Sequence, residues 1–297
     1  RIRPATCASQ TKTACDSSPS PKRQPETSVV NAGLTVCLAG KVGDVFQPEL
    51  ATAPEVLTAM AYKNPLMPAS PAQPVRDAEL SADLAAFIHS DRFPCVGAKS
   101  ALGLDQVSSV EAGDFLSEEG DRLIHQQLSQ FGHQLDPHAM PFKTFICGFD
   151  RASVMDERAF EAALWERLQR LHEIDCEHGV EWAEDVSHDP ASANFGVSVN
   201  GVAYFVIGLH PGASRAARRF CRPALVFNSH DQFEQLRADG RYQALQKVIR
   251  EKEIDVNGSI NPMIGTHGQR NQAAQYSGRQ VGDDWECPFQ FREAKQA

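Results

Sequence analysis

Alternating hydrophobic and polar positions give the strongest strand signal in the segment FGVSVNGVAYFVIGL at 195–209. Asn200 and Gly201 separate two apolar runs, and this dipeptide favours a two-residue type I′ turn because both turn positions need a positive φ. Pairing Val199 with Val202 puts the larger apolar side chains on one face. The pattern therefore predicts a β-hairpin.

Apolar residues at helical spacing predict several helices. The clearest is MDERAFEAALWERLQRLHEID, where Phe160, Leu164, Leu168 and Leu171 form a stripe that Trp165 widens. Further helices are predicted in DAELSADLAAFIHS, within GDFLSEEGDRLIHQQLSQF, near Ser229 and from Tyr242 to Lys252. KTFICGF is predicted as a short buried strand, and ALVFN as a neighbour of the hairpin inside a larger sheet.

These elements predict the fold class and the domain organisation. We expect an α+β fold, in which residues 77–297 form a single globular domain with a mainly antiparallel sheet flanked by helices. Residues 1–76 carry SSPSPKRQPE and NPLMPASPAQP, which are rich in Pro and Ser and resist regular structure. We expect a poorly ordered N-terminal extension there.

Composition and charge narrow the class of protein. The formal net charge of -9 argues against general nucleic-acid binding, which needs a broad basic surface. No apolar run reaches the roughly eighteen residues of a membrane span, so we expect a protein without a membrane partner. The eight cysteines are scattered without a CxxC pair, which predicts reduced thiols and a cytoplasmic location. Since the chain begins without Met, we expect a fragment or a processed product.

The segment GLHPGASRAARRFCR places His210 at the predicted end of the second hairpin strand. If a helix follows, Arg215, Arg218, Arg219 and Arg222 recur at three- and four-residue spacing on one face. Such a face is either solvated and paired with acidic residues, or it binds carboxylates or phosphates. A histidine beside carboxylate-binding arginines is also what a heme pocket requires, with imidazole on iron and arginines on the propionates.

Other residues compete for the same chemistry. His230, at a predicted helix start, is expected to be neutral, and it either ligates a metal or forms a hydrogen bond into the turn at Asn228. Cys95 in RFPCVGAKSAL and Cys287 in WECPF are candidates for a thiolate ligand, a redox pair or small buried hydrophobes. Lys99 lies at a loop-to-helix junction where a backbone nest and an ammonium suit a carboxylate.

The segment GSINPMIGTHGQRNQAAQYSGR is too polar for a core and too specific for a linker. A long ordered loop of this composition is typical of a substrate-binding wall, and the alternative is a well hydrogen-bonded C-terminal wrap. Its candidate substrate-binding side chains are Asn261, Gln275, Tyr276 and Arg279.

The motifs FPCVGAKSAL, FEAALWERLQRLHEID, YFVIGLHPGASRAARRF, LVFNSHDQFEQLRADGRY, GSINPMIGTHG, QYSGR and WECPF occur in this order between Phe87 and Phe289. Together they resemble the YqcI/YcgG family, whose members carry FPC and CPF motifs. The resemblance implies a heme-dependent oxygenase, similar to enzymes that N-hydroxylate the guanidino group of arginine or a related amino acid.

The resemblance gives the candidate residues their expected roles. It implies heme b as cofactor, with His210 as the first choice of iron ligand and His230 and Cys287 as alternatives. Arg215, Arg218 and Arg219 are expected on the heme, and Lys99 or Arg279 on the substrate carboxylate. An electron donor or peroxide is an implied partner, and a homodimer is possible. The sequence THGQRNQAAQYSGR lacks the Glu of many relatives, so the acidic partner of a guanidino group is not identified by the motif.

The alternative functions are a heme-binding sensor without turnover and a thiol redox protein using Cys95 and Cys287.

Overall fold

The computed structural model describes residues 73–136, 143–151, 155–261, 263 and 271–295. Most of the predicted extension, residues 1–72, lies outside the described residues. The first helix begins at Gln73, slightly before the predicted domain start at Asp77. The helices are α1 (Gln73–His89), α2 (Val96–Gly103), α3 (Asp121–Gly132), α4 (Glu157–His178), α5 (His230–Ala238) and α6 (Arg241–Asn257). The strands are β1 (Val107–Glu111), β2 (Thr144–Gly148), β3 (Val197–Val199), β4 (Val202–Leu209) and β5 (Ala224–Ser229).

The strands form one sheet in the order β1-β2-β5-β4-β3. The β1 and β2 strands are parallel, and every other neighbouring pair is antiparallel. This arrangement confirms the predicted α+β fold with a mainly antiparallel sheet flanked by helices. The strand β4 lies between β3 and β5, as its apolar character on both faces predicted.

The predicted hairpin is confirmed in its register and its turn. Val199 pairs with Val202, and the turn residues Asn200 and Gly201 have φ angles of 54° and 72°. The buried carboxylate of Asp175 on α4 accepts the Asn200 N–H and lies 2.7 Å from Nε2 of His125 on α3. Asp175 therefore connects the turn with both α3 and α4.

Apolar side chains cover both faces of the sheet. On one face α3 and α4 pack against alternate strand residues such as Phe145, Val206 and Phe227. On the other face α1 contributes Leu80 and Leu84, which pack with the intervening strand residues. This alternation gives the sheet two hydrophobic layers and places the end of β4 close to α4.

A buried arginine on α4 organises the loop that precedes α3. Arg167 is fully buried and forms an ion pair with Asp121. Its Nη2 also donates to the carbonyls of Phe115 at 2.6 Å and Ser117 at 2.9 Å. The guanidinium lies 4.8 Å from the ring centroid of Phe149. One side chain thus supplies the hydrogen bonds that a buried loop backbone requires.

Gly208 in β4 permits the close contact between the sheet and α4. A Cβ atom at this position would lie 2.6 Å from Cε1 of Phe160 and 2.8 Å from Cδ1 of Leu164. Overpacking a core costs about 1–3 kcal/mol, so we expect Gly208→Ala to lower the free energy of unfolding by that amount in urea denaturation. Gly103→Ala is the control, because nothing lies within 4 Å of its Cβ position. Equal stability of the two variants would contradict this packing argument.

Across the described ranges, no helix combines the length and the apolar character needed to cross a membrane.

Candidate functional site

His210 directly follows β4 and is held by its backbone. Its N–H donates to the carbonyl of Arg218 at 3.0 Å, and its own carbonyl accepts the Ala213 N–H at 3.2 Å. The imidazole stacks on Phe160 with a centroid distance of 4.2 Å and an interplanar angle of 15°. The sequence therefore placed His210 correctly at a strand end, and the structure adds an aromatic support beneath its ring.

The His210 ring is buried, with 1% of the residue exposed. Among the described residues, neither ring nitrogen makes a hydrogen bond of good geometry, although the Met155 carbonyl lies close enough to act as an acceptor for the ring. Burial lowers the pKa of His210, although the nearby Glu157 carboxylate opposes this effect. The neutral imidazole, which is the form that ligates metals, is thus favoured. Ring nitrogens without a well-formed hydrogen bond are costly in a buried side chain, and a bound group is one physical reason to retain them.

The arginines after His210 do not share a helical face. Only a short 3₁₀ turn, Ala216–Arg218, forms in this segment. Arg215 donates to the carbonyls of Ser259 and Ile260, and Arg219 donates to those of Ala213 and Ser214. Arg222 is buried and pairs with Asp83 on α1, which Arg151 also contacts.

Arg218 is likewise bound to backbone carbonyls. Its guanidinium donates to Gly208, Gln275 and Tyr276 at 3.0–3.1 Å. The four arginines therefore do not form the one basic face that their spacing predicted. Each guanidinium instead binds nearby carbonyls or a carboxylate. The arginine side chains thus anchor the loops around His210.

A surface cleft of about 530 Å³ lies beside His210. Gly212 lines this cleft, and a Cβ atom there would lie 2.5 Å from the Met155 carbonyl and 3.4 Å from Nδ1 of His210. Gly212 therefore connects the wall of the cleft with the buried imidazole. The other lining residues come from the start of α4 and two loops, namely Asp156, Glu157, Arg158, Ser214, Arg279 and Gln280.

The start of α4 supplies the acidic side of the cleft. Asp156 is the N-cap of the helix and accepts the Ala159 N–H at 2.8 Å. Glu157 accepts both the N–H and the hydroxyl of Ser214 through Oε1, at 2.9 and 2.7 Å. These carboxylates were not singled out from the sequence, because acidic residues in a first helical turn are commonly explained by capping.

Arg279 is the substrate-binding candidate that the structure places in the cleft. Its Nε donates to Oε2 of the buried Glu161 at 2.7 Å, and the Ser277 hydroxyl donates to Oε1 of the same carboxylate at 3.2 Å. Arg158 also lines the cleft and is exposed. It has no hydrogen-bond or ion-pair partner within the described part of the chain. The cleft therefore presents two carboxylates and two guanidinium groups.

The remaining substrate candidates lie elsewhere. Lys99 is on α2, where its ammonium donates to the Ser90 carbonyl at 3.2 Å. Asn261 is buried, with its N–H bound to Glu253 and its side-chain oxygen to the Met263 N–H. Gln275 contributes its carbonyl to Arg218, and Tyr276 is fully buried, stacked on Trp165 and hydrogen-bonded to the Tyr204 carbonyl.

The alternative iron ligands have different surroundings. The ring of His230 lies over Gly196, where a Cβ atom would come within 3.1 Å of Nε2. Burial raises the pKa of Cys287 to about 12, which disfavours the thiolate. Burial also raises the pKa of Cys95, although this residue is the N-cap of α2. None of the described His, Cys, Asp and Glu side chains form a group of three or more that could hold a metal ion.

The fold and the site define an α+β protein with a buried histidine at a strand end beside a charged cleft. Residues 84–290 match the model of the YqcI/YcgG family, and the chain belongs to that family. It is also similar to the "Uncharacterized protein YqcI" of Bacillus subtilis (strain 168), with 24% identity over 208 residues, which cover 67% of this chain and 81% of the relative. No solved structure gives a significant match.

Proposed function

We propose that the protein is a heme-dependent monooxygenase that N-hydroxylates a guanidino group of arginine or a related amino acid, with His210 as the iron ligand. One observation carries the proposal: His210 is buried, favoured in its neutral form, and without a well-formed hydrogen bond on either ring nitrogen among the described residues. A heme iron needs only one or two axial protein ligands, so a single such histidine is sufficient.

The residues around His210 fit a heme in one respect and require a revision in another. The neutral imidazole is the side chain that would hold the iron, but it is 1% exposed and does not line the cleft, so neighbouring side chains would have to move to admit a heme. Arg215, Arg218 and Arg219, expected on the propionates, are instead engaged with backbone carbonyls. In the revised proposal Arg158, which lines the cleft next to His210, is the cation available for a carboxylate, whereas Arg279 is already paired with the buried Glu161. When bound, heme supplies the oxidation of the substrate nitrogen with dioxygen and an electron donor, or with peroxide.

The cleft supports an amino-acid substrate that carries a positive side chain. A guanidinium forms bidentate hydrogen bonds with a carboxylate, and Asp156 and Glu157 supply two carboxylates at one end of α4. Both bonds of Glu157 to Ser214 use Oε1, which leaves Oε2 without a hydrogen bond to any described residue. Arg158 would then bind the substrate carboxylate. These residues orient the substrate, while the buried ring of His210 stays shielded from water.

A thiol redox function has less support. Burial raises the pKa values of both Cys95 and Cys287, so the thiolate that such chemistry needs is disfavoured. Cys95 lies near Leu245 of α6, since both approach the Cβ position of Gly97, whereas Cys287 packs against the core between α4 and the sheet. Both cysteines are free. A heme sensor without turnover would share His210 and is distinguished only by its lack of product.

Titration of the purified protein with hemin tests the proposal. We expect a saturable Soret band, and with carbon monoxide a Soret position of the imidazole-ligated type rather than the thiolate type. With a reductant and dioxygen, arginine or a related guanidino compound should yield an N-hydroxylated product by mass spectrometry. Norleucine, which lacks the guanidino group, is the control substrate. A protein that develops no Soret band rules out both the oxygenase and the sensor.

A further inference from the structure

Arg218 connects three chain segments at the position of His210. Its Nη1 donates to the carbonyls of Gly208 at 3.0 Å and Tyr276 at 3.1 Å, and its Nη2 donates to that of Gln275 at 3.0 Å. The Arg218 carbonyl in turn accepts the His210 N–H at 3.0 Å. The side chain therefore holds the end of β4, and the main chain holds His210 itself.

The surroundings of Arg218 are adapted to this side chain. Gly278 has a φ of +84°, and a Cβ atom there would lie 3.3 Å from Cγ of Arg218, so the glycine leaves room for the arginine stem. Burial lowers the pKa of Arg218 to about 10, and the nearby Glu253 carboxylate opposes this effect. The guanidinium thus remains charged at neutral pH, although it binds carbonyls rather than an anion.

We propose that Arg218 is the positioning residue for His210, fixing the imidazole in its stacked orientation on Phe160 and thereby its capacity to ligate iron. The ligand part of this inference rests on the proposed function, whereas the orientation part does not. A lysine cannot replace the arginine, since its single ammonium cannot reproduce a planar fork that spans three carbonyls.

Arg219 provides a matched control. It lies next to Arg218 and carries the same charge, but its guanidinium donates only to Ala213 and Ser214 in its own loop. Arg218→Lys and Arg219→Lys therefore make the same chemical change with the same net charge. Only Arg218→Lys removes the guanidinium contacts to β4 and to the segment that contains Tyr276.

Nuclear magnetic resonance of the heme-free protein tests the positioning directly. The stacked Phe160 ring shifts the His210 Cε1–H resonance, so a reoriented imidazole changes this signal. We expect Arg218→Lys to move it towards the value of an unstacked histidine and Arg219→Lys to leave it in place. The ring signals of His125 and His172, on helices away from this loop, report that each variant is folded. An unchanged His210 signal in Arg218→Lys, or an equal change in Arg219→Lys, overturns the proposal.

A second variant covers the case in which Arg218→Lys does not fold. Gly278→Ala keeps the guanidinium, but its Cβ presses on the stem of Arg218 and its positive φ strains the loop whose Gln275 and Tyr276 carbonyls Arg218 binds. A smaller shift of the His210 signal in the same direction supports the positioning role, and no shift refutes it.

Hemin titration then separates this inference from the proposed function. Loss of a residue that orients a metal ligand costs about 10- to 100-fold in metal affinity, so Arg218→Lys should weaken hemin binding by this factor and Arg219→Lys should not. Failure of the unsubstituted protein to bind hemin refutes the proposed function, and the heme-free resonance still decides the role of Arg218. Wild-type hemin affinity in Arg218→Lys, with a displaced His210 signal, overturns the ligand part.

Discussion

Replacing Arg167 with methionine is expected to lower the free energy of unfolding by about 3–5 kcal/mol, the cost of removing one partner from a buried ion pair. The substitution leaves Asp121 with Arg170 as its remaining cationic partner. It also leaves the buried carbonyls of Phe115 and Ser117 without the donor that now satisfies them. Urea denaturation followed by circular dichroism measures the change. This cluster contacts the His210 site through stacked rings, since Phe115 stacks on Phe160 and Phe160 stacks on His210.

Arg122 supplies the control for this prediction. It also pairs with a carboxylate, Glu177, but at 3.6 Å and with 72% of its side chain exposed. Exposed pairs contribute about 0–1 kcal/mol, so Arg122→Met should change the stability little. The double variant Arg167→Met/Asp121→Asn should be more stable than the sum of its single changes implies, because both buried charges are removed together and Arg170 keeps its ion pair with Glu166. A loss below about 1 kcal/mol in Arg167→Met would contradict a role for the buried pair.

Replacing His210 with alanine is expected to abolish the Soret band of the imidazole-ligated type in the hemin-loaded protein. The proposed function assigns the iron to this side chain, because its nitrogens make no well-formed hydrogen bond to a described residue and its neutral form is favoured. The variant leaves a space against Phe160 that has the size of an imidazole. Added imidazole should therefore restore part of the band, whereas it could not repair a misfolded chain.

The controls for His210→Ala are the two alternative ligands. His230→Ala and Cys287→Ala should keep the Soret band of the unsubstituted protein. If His210→Ala keeps an unchanged spectrum, the assignment is wrong, and the variant that does lose the band identifies the ligand. The position of the band with carbon monoxide provides an independent check, since thiolate ligation by Cys287 differs from imidazole ligation by His230.

The sequence predicted most of the fold because its strongest signals are local. The Asn200-Gly201 turn, the apolar stripe on α4 and the short apolar run of β2 can each be recognised from neighbouring residues alone. The strand β1, with the sequence VSSVE, was missed, because its two serines interrupt the apolar pattern and its partner β2 is distant in the chain. Parallel pairing leaves no turn signal between the strands.

The candidate site was only partly predictable for the same reason. The placement of His210 followed from the end of an apolar strand and the Pro-Gly that comes next. The destinations of the arginines could not be predicted, because the carbonyls of Ser259 and Gln275 reach Arg215 and Arg218 only in the folded chain. Asp156, Glu157 and Arg158 carried no signal beyond that of a helix start.

The two kinds of strand pairing in the sheet also bear on the order of folding. β3 and β4 are joined by two residues, and hairpins of this kind close in about 1–10 μs. The pairing of β1 with β2 closes a loop formed by residues 112–143. The entropy lost in closing this loop is larger than that for the two-residue turn of the hairpin. The hairpin, with β5 and α4, is therefore expected to form the nucleus on which β1 and α1 assemble last. His210 and Phe160 belong to this early unit, so the imidazole would gain its aromatic support before the sheet is complete.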